Sequence, residues 1–232
     1  MLNNMLISVV VSVYKSEEYL QGFFENLLLQ TYKNFEVVLV LNDPSEKELS
    51  ILESYQSLLN IVYIKVPLEL TSTSVNRCLK IAKGDIIVAT GTDDLFVETA
   101  FEKFIQTFLD NPDIDIVYCD FIAFKSNGKI YWIGKSRDYT FESLKNGNYI
   151  SPCQIFKKSV FDKEGGYKEE YNYASDYEFM LRLGSKGYNF MHIPEVLFKF
   201  IRYSNSYTIK NKSLHEKTVI RIKDVYKDIV KM

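Results

Sequence analysis

Apolar positions along the first half of this chain alternate between two rhythms. Ile7–Val13 (ISVVVSV) is short, β-branched and apolar on both faces, which predicts a buried parallel strand. Leu20, Phe23, Phe24 and Leu27 then fall on one helical stripe, with Ser16 placed to cap it. Phe35–Leu41 (FEVVLVL) predicts a second buried strand, and Ser45 to Glu48 reads S-x-x-E, a capping-box signature opening the next helix. Ile61–Val66 predicts a third strand. Val75, Cys78, Leu79 and Ala82 keep helical spacing up to Gly84, where glycine would tolerate a left-handed exit. Ile86–Ala89 predicts a fourth strand. Val97, Phe101, Phe104, Ile105 and Phe108 make another amphipathic stripe that ends before Pro112, and Ile114–Phe124 predicts a fifth strand region.

This alternation predicts an α/β fold with a mostly parallel central sheet flanked by helices, joined by right-handed crossovers. The second half reads as a smaller mixed region. Ser126-Asn127-Gly128 between two apolar segments predicts a hairpin. Pro152–Phe156 predicts a strand, Ser175–Lys186 a helix stopped by Gly187, and Asn189–Ile193 and Val196–Ile201 two short strands. Ser213–Lys231 predicts a final helix with its own S-x-x-E start at Ser213 and Glu216. No repeat or low-complexity linker separates residues 1–110 from 111–232, so the two halves are expected to share one core.

Composition narrows the class. The chain has 232 residues, 47% hydrophobic and 25% charged, the proportions of a soluble globular protein. Folding at this length buries roughly 70% of the unfolded surface. No apolar run approaches the ~18 residues of a membrane span. Lys15, the first basic side chain, follows the apolar Leu6–Val13 run, unlike a signal peptide. Cys78, Cys119 and Cys153 are far apart and odd in number, which argues against a disulfide framework or a cysteine zinc site and fits a cytoplasmic protein. A net charge of −2 gives no support to nucleic-acid binding.

The charge is uneven, with +6 over residues 199–232 and −8 over residues 1–198. In the last helix Val219, Ile222, Val225, Tyr226 and Ile229 share one face, and Lys217, Arg221, Lys227 and Lys231 lie opposite. Such a helix can lie on the inner face of an anionic membrane, or pack on its own domain.

Several chemistries are absent. There are two histidines, no G-x-S-x-G elbow and no G-x-G fingerprint. Gly128-KIYWI-Gly134-Lys135-Ser136 has five bulky residues between its glycines, one too many for a phosphate loop, and reads as a β-segment.

What remains lies after the strands, where open parallel sheets bind ligands. The first strand ends in Ser12-Val13-Tyr14, the second in Asn42-Asp43 and the fourth in Thr90-Gly91-Thr92-Asp93-Asp94. Adjacent carboxylates on a strand-to-helix turn can bind Mg²⁺ or Mn²⁺ together with substrate phosphates; equally, one can cap the helix near Val97 while the other is solvated.

ISVVVSVYKSEEYL (7–20), LLLQTYKNFEVVLVLNDPS (27–45) and VNRCLKIAKGDIIVATGTDD (75–94), in this order and spacing, resemble the nucleotide-binding half of family 2 glycosyltransferases, which have the GT-A fold. GGYKEEYNYASDYEFMLRLGSKGYNFMHIPEVLFKF (165–200) resembles the acceptor half of the same family. The resemblance implies transfer of a sugar from a nucleoside diphosphate donor, with UDP-sugars favoured, to the hydroxyl of a saccharide or lipid-linked acceptor in cell-surface polysaccharide or glycolipid synthesis. It matches Thr92, Asp93 and Asp94 to an acidic loop that holds the ribose and a divalent Mn or Mg ion, with the metal mainly on Asp94. It matches Ser12, Tyr14 and Asn42 to base-binding positions, Asn76 to a residue on the helix before the fourth strand that braces the acidic loop, and Asp176 to the general base of inverting members.

Asp176 also sits in a second S-x-x-E sequence, Ser175 to Glu178, where it can simply favour helix initiation. Its place in a first turn would favour the ionised form through the helix dipole. The chain departs from the family pattern at Gly91, where an acidic residue is common, at Asn42, where Asp is usual, and at Ser12 and Lys15. Arg77 reads as a surface cation, and Lys15 can contact phosphate or simply be solvated. Arg202 matches a region near a mobile loop and can reach a diphosphate or form a salt bridge. Trp132, Tyr149 and Tyr173 can line a sugar site or be ordinary aromatics. The competing class is a non-catalytic nucleotide-sugar-binding module.

Overall fold

The computed structural model describes residues 5–125, 128–150, 152–202 and 207–229. The strands are β1 (Ile7–Val13), β2 (Phe35–Asn42), β3 (Ile61–Val66), β4 (Ile86–Ala89), β5 (Asp94–Phe96), β6 (Ile116–Lys125), β7 (Ile130–Gly134), β8 (Gln154–Lys157) and β9 (Phe190–Arg202). The helices are α1 (Leu20–Leu28), α2 (Glu46–Tyr55), α3 (Thr71–Ile81), α4 (Ala100–Asp110), α5 (Phe141–Asn146), α6 (Lys158–Glu164), α7 (Ser175–Ser185), α8 (Tyr207–Lys210) and α9 (Lys212–Tyr226). One sheet runs β3-β2-β1-β4-β8-β6-β9-β5, with β7 also paired to β6.

Parallel pairing joins β3, β2, β1 and β4, as the buried apolar strands predict. The fifth predicted strand does not extend that run. β8 intervenes, antiparallel to both β4 and β6, so the sheet is mixed beyond β4. The two short strands expected over 189–201 are one strand, β9, which runs parallel to β6 with register shifts at Asp120. β6 and β7 form the expected hairpin, whose Ser126 and Asn127 lie outside the described residues.

The sheet separates two apolar layers. Val9, Val11, Val37 and Leu39 face α1 and α4 on one side, joined by Phe198 from β9. Val10, Val38 and Val40 face the other side with α3, α5, α7 and α9. Both halves of the chain therefore contribute to both layers.

Helix ends follow local chemistry, with instructive exceptions. Ser45 and Glu48 form the reciprocal capping box that opens α2. Ser16 does not cap α1 through its side chain; its carbonyl accepts from Tyr19 and Leu20 N–H instead. Neither other S-x-x-E sequence caps its helix: α7 starts after Ala174 and α9 after Asn211, without side-chain caps. At α7 the reason is Glu178, which turns into the core, fully buried, to meet Arg182, Lys168 and the Tyr226 hydroxyl. Gly84 is needed for closeness rather than for a left-handed exit. A Cβ there would stand 2.5 Å from Ser8 N and 2.7 Å from Leu6 O.

The apolar face of α9 packs on the protein, with Ile222 and Tyr226 buried. Val225, expected on that face, is instead exposed. Arg221 reaches Glu170 and covers the Tyr171 ring at 4.8 Å. The face proposed from sequence for a membrane is thus largely spent on α5 and α7. Lys231 lies outside the described residues. Among the described residues no helix is long and apolar enough to cross a membrane.

Candidate active site

The carboxyl ends of β1, β2 and β4 lie side by side, through the pairs Val13↔Leu41 and Val10↔Ala89. Asn42, 2% exposed, closes β2. Its amide nitrogen donates to the Ser12 hydroxyl at 3.1 Å and to Val13 O at 3.4 Å. Its oxygen accepts from Glu69 N–H at 3.3 Å and lies 3.1 Å from the Ser74 hydroxyl. Both ends of the amide are engaged inside the protein, so the structure places Asn42 behind Ser12. Tyr14 stands beyond it, 41% exposed. The backbone is left-handed at Lys15 (φ 51°) and Asp43 (φ 44°), an uncommon conformation outside glycine that clusters at functional sites. Lys15 is exposed and its ammonium lies 5.2 Å from the Tyr14 ring centre.

The loop after β4 is tied to this end of the sheet. The Thr92 hydroxyl donates to Ser16 Oγ at 2.9 Å, and Ser16 N–H donates to Glu48 at 2.6 Å. The second oxygen of Glu48 completes the α2 cap. One buried carboxylate thereby braces the turn after β1, which in turn holds Thr92.

Asp94 Oδ2 accepts from Thr90 Oγ1 at 2.9 Å and from Gly91 N–H at 2.7 Å. Its Oδ1 has no protein donor among the described residues. Asp93 lies alongside, and both residues are half-buried. Burial, then the charge of Asp93, pushes Asp94 up to about 7, and burial also raises Asp93. Two crowded carboxylates with spare oxygens suit a hard divalent cation, which takes oxygen ligands and commonly uses one or two carboxylates plus phosphates. Among the described residues no group of three or more His, Cys, Asp or Glu gathers to form a cage. A Cβ on Gly91 would stand 2.8 Å from Asp93 Oδ1 and 3.2 Å from Asp94 Oδ2, so the glycine leaves the pair its room.

Asp176, in the first turn of α7, is linked to the end of β4 electrostatically, through residues to which the sequence assigned no role. Gln154 pairs with Ala89, the last residue of β4, and accepts a hydrogen bond from the Tyr167 hydroxyl. Burial raises that hydroxyl well above its ordinary range, and the charge of Asp176 adds to the effect. Cys153, buried beside Gln154, is raised by burial, by Cys119 and by Asp94. The charge of Asp94 acts on Cys153 and that of Asp176 on Tyr167, and Cys153 in turn acts on Tyr167. Asp176 itself is raised by burial; the Tyr177 N–H and the charge of His215 on α9 pull the other way. Burial outweighs the helix dipole invoked from sequence. The Gly165-Gly166-Tyr167 run was the available signal for Tyr167; His215 had only its helical spacing with Val219, Ile222 and Tyr226.

Asn76 bonds to Tyr167, and among the described residues no hydrogen bond joins it to the acidic loop. Its amide nitrogen donates to Tyr167 O at 2.7 Å and its oxygen accepts from Tyr167 N–H at 2.8 Å. Arg77 pairs with Glu69 at 2.9 Å near the surface, as expected. Trp132 is 54% exposed on β7 and packs edge-on against Phe121. Tyr149 packs edge-on against Tyr118 and under Arg137. The Arg202 side chain lies outside the described residues.

A sheet that is parallel from β3 to β4 and mixed beyond, flanked by helices and bearing an acidic loop after its fourth strand, is the architecture of the GT-A glycosyltransferases. Residues 8–165 match the model of glycosyl transferase family 2, and the chain belongs to that family. It is 29% identical over 208 residues to the uncharacterized glycosyltransferase MJ1057 of Methanocaldococcus jannaschii, covering 86% of this chain and 71% of that protein. It is 28% identical over 204 residues to the amylovoran biosynthesis glycosyltransferase AmsE of Erwinia amylovora, covering 84% and 75%. Its fold matches S. aureus TarS 1-349 in complex with UDP at a TM-score of 0.75 and 22% identity, over 96% of this chain and 65% of TarS 1-349. It also matches the mannosyltransferase PcManGT from Pyrobaculum calidifontis in complex with GDP-Man and Mn2+ at 0.72 and 16%, over 97% and 65%. The chain therefore spans 65% of the length of those solved proteins.

Proposed function

We propose that this protein transfers a sugar from a nucleoside diphosphate donor to a hydroxyl acceptor by a single inverting displacement. The observation that supports the reading is the link from Ala89, at the end of β4, through Gln154 to the Tyr167 hydroxyl, which feels the charge of Asp176, while Asp93 and Asp94 stand in the loop that follows β4. Tyr14 offers an exposed ring face for a base, and Ser12, oriented by Asn42, a hydroxyl beside it. Asp93 and Asp94 would hold a divalent cation, which supplies charge neutralisation to the departing diphosphate. Asp176 takes the proton of the acceptor hydroxyl as its oxygen bonds to the anomeric carbon and the bond from that carbon to the diphosphate breaks. The anomeric centre is oxocarbenium-like in such transfers, and a positioned base contributes about 10²–10⁴ in rate.

The UDP of the TarS complex, the GDP-Man and Mn2+ of the PcManGT complex, and the part of AmsE in amylovoran biosynthesis support a metal-assisted nucleotide-sugar reaction in polysaccharide assembly. We place that reaction at the cytoplasmic side, with a saccharide or lipid-linked acceptor. Gly91 and the engaged amide of Asn42 motivate the alternative of a binding module without turnover.

The deciding experiment is a panel of nucleoside diphosphate sugars with and without Mn²⁺, read by thermal shift and by release of nucleoside diphosphate. A ligand bound only by the native state raises the midpoint. Turnover lost in Asp176→Asn supports the transferase. Binding without turnover for every donor supports the module, and turnover that survives Asp176→Asn and Asp94→Asn removes the assigned roles.

A further inference from the structure

The β6–β7 hairpin carries a surface that the transfer reaction leaves unused. Ile130, Tyr131, Trp132 and Ile133 are consecutive, and each is 45–55% exposed. Side chains alternate between the faces of a strand, so β7 is apolar on both. Among the described residues β7 pairs with β6 alone. Residues 121–137 contain Lys125, Lys129, Lys135 and Arg137, all exposed, and no acidic residue, in a chain whose net charge is −2. An exposed apolar patch rimmed by charge marks a partner or membrane surface.

Three occupants can be compared. A sugar ring would use one aromatic face, and leaves the opposite apolar face unexplained. A second copy pairing antiparallel about Trp132 would set Lys129 directly opposite Lys135 twice, and like charges directly opposite destabilise a sheet. An anionic lipid surface satisfies both features together, because its headgroups take the cations and its boundary region takes apolar and aromatic side chains.

We propose that this hairpin docks the protein on an anionic lipid bilayer, with Ile130–Ile133 at the boundary of headgroups and acyl chains. The depth is interfacial, since the outer edge of β7 carries backbone groups that the hydrocarbon core cannot satisfy. Trp and Tyr favour that layer. Asp94 pairs with Phe200, Phe200 with Ala123 and Ala123 with Trp132. Three strand spacings, roughly 14 Å, therefore separate the acidic loop from the docking strand. A groove of about 310 Å³ lined by Leu95, Phe124, Lys125, Gly128, Lys199 and Ile201 lies between them. Docking stands apart from the transferase reading; only its use, presenting the cleft to a lipid-linked acceptor, rests on it.

Trp132 is the only tryptophan of the chain, so its fluorescence reports the hairpin alone. The full chain is mixed with phosphatidylcholine vesicles, and with vesicles containing about one-third phosphatidylglycerol. Binding at least ~tenfold stronger to the anionic vesicles is expected, with a blue shift of Trp132 emission and quenching by brominated acyl chains. Lys125→Glu with Lys129→Glu lowers binding about tenfold or more, and Ile130→Ser with Ile133→Ser abolishes the blue shift, both with unchanged circular dichroism. No binding to anionic vesicles overturns the proposal. So does binding with unchanged Trp132 emission, which places the contact elsewhere, or a blue shift that grows with protein concentration without vesicles, which marks self-association. None of these readouts depends on transfer activity.

Discussion

Asn76 and Tyr167 exchange two hydrogen bonds, at 2.7 Å and 2.8 Å, across 91 residues of sequence. The exchange fastens α3 to the segment that leads into α7 and its Asp176. Gly166 is held close to it, since a Cβ there would stand 1.9 Å from Asn76 Oδ1. Asn76→Ala leaves the Tyr167 amide and carbonyl without these partners and is expected to cost about 2 kcal/mol. Transfer should fall while nucleoside diphosphate affinity stays within about twofold, because Ser12 and Asp94 are untouched. Denaturant melts and calorimetric titration separate the two effects.

Asp176→Asn keeps the shape of the side chain and removes its ability to take a proton. Transfer is expected to fall by about 10²–10⁴, with donor binding retained. Single-turnover transfer measured beside nucleotide affinity checks this.

The pH response follows from the same group. Burial raises the Asp176 carboxyl above the ordinary carboxylate range, and a base works in its ionised form. The rate should therefore rise with pH through a limb lying above that range. A raised folded-state value means that any stability this group contributes is present at low pH and is lost as pH climbs through it. His215→Ala removes a charge that pulls Asp176 down, so the limb should move to higher pH. A kcat–pH profile of both proteins tests the direction; a limb that stays in place contradicts it.

Gly91→Ala pushes a methyl group against the ends of Asp93 and Asp94, not against backbone. Stability should change by less than about 1 kcal/mol, as side-chain ends can yield. Metal-dependent stabilisation by nucleoside diphosphate should weaken by about tenfold or more, the order expected when metal ligands are disturbed. Thermal shift over a Mn²⁺ series reads both.

Glu178→Ala strands Arg182, whose guanidinium also donates to the carbonyls of Glu164 and Gly166. Removing one partner of a buried ion pair costs about 3–5 kcal/mol. Glu178→Gln should cost less, because the Tyr226 hydroxyl keeps an acceptor. Chemical denaturation of both variants gives the comparison.

β1, β2 and β4 were legible because each is buried on two faces, and a run such as Val37–Leu41 has few other places to go. The Ser45 cap was legible because its partners are three residues apart. Identical S-x-x-E spacing failed at α7 because Glu178 found a stronger demand in the core, from Arg182 and Tyr226, that no local window contains. β8 was legible as a strand but not as the strand between β4 and β6, since antiparallel insertion is a choice of partner. The same limit hid Tyr167 and Gln154, whose bond depends on that insertion.

The sequence by itself determined which segments seek the interior and which polar groups follow them: Ser12, Asn42 and the Thr92-Asp93-Asp94 loop stand where short apolar strands stop. Periodicity and capping are local, so they can be read from neighbours along the chain. Only the tertiary structure decided that Asn42 is consumed behind Ser12, that Asn76 serves Tyr167, that burial outweighs the helix dipole at Asp176, and that Ile130–Ile133 stay outside the core. Each depends on desolvation and on partners tens of residues away, and these exist only once the chain has closed on itself.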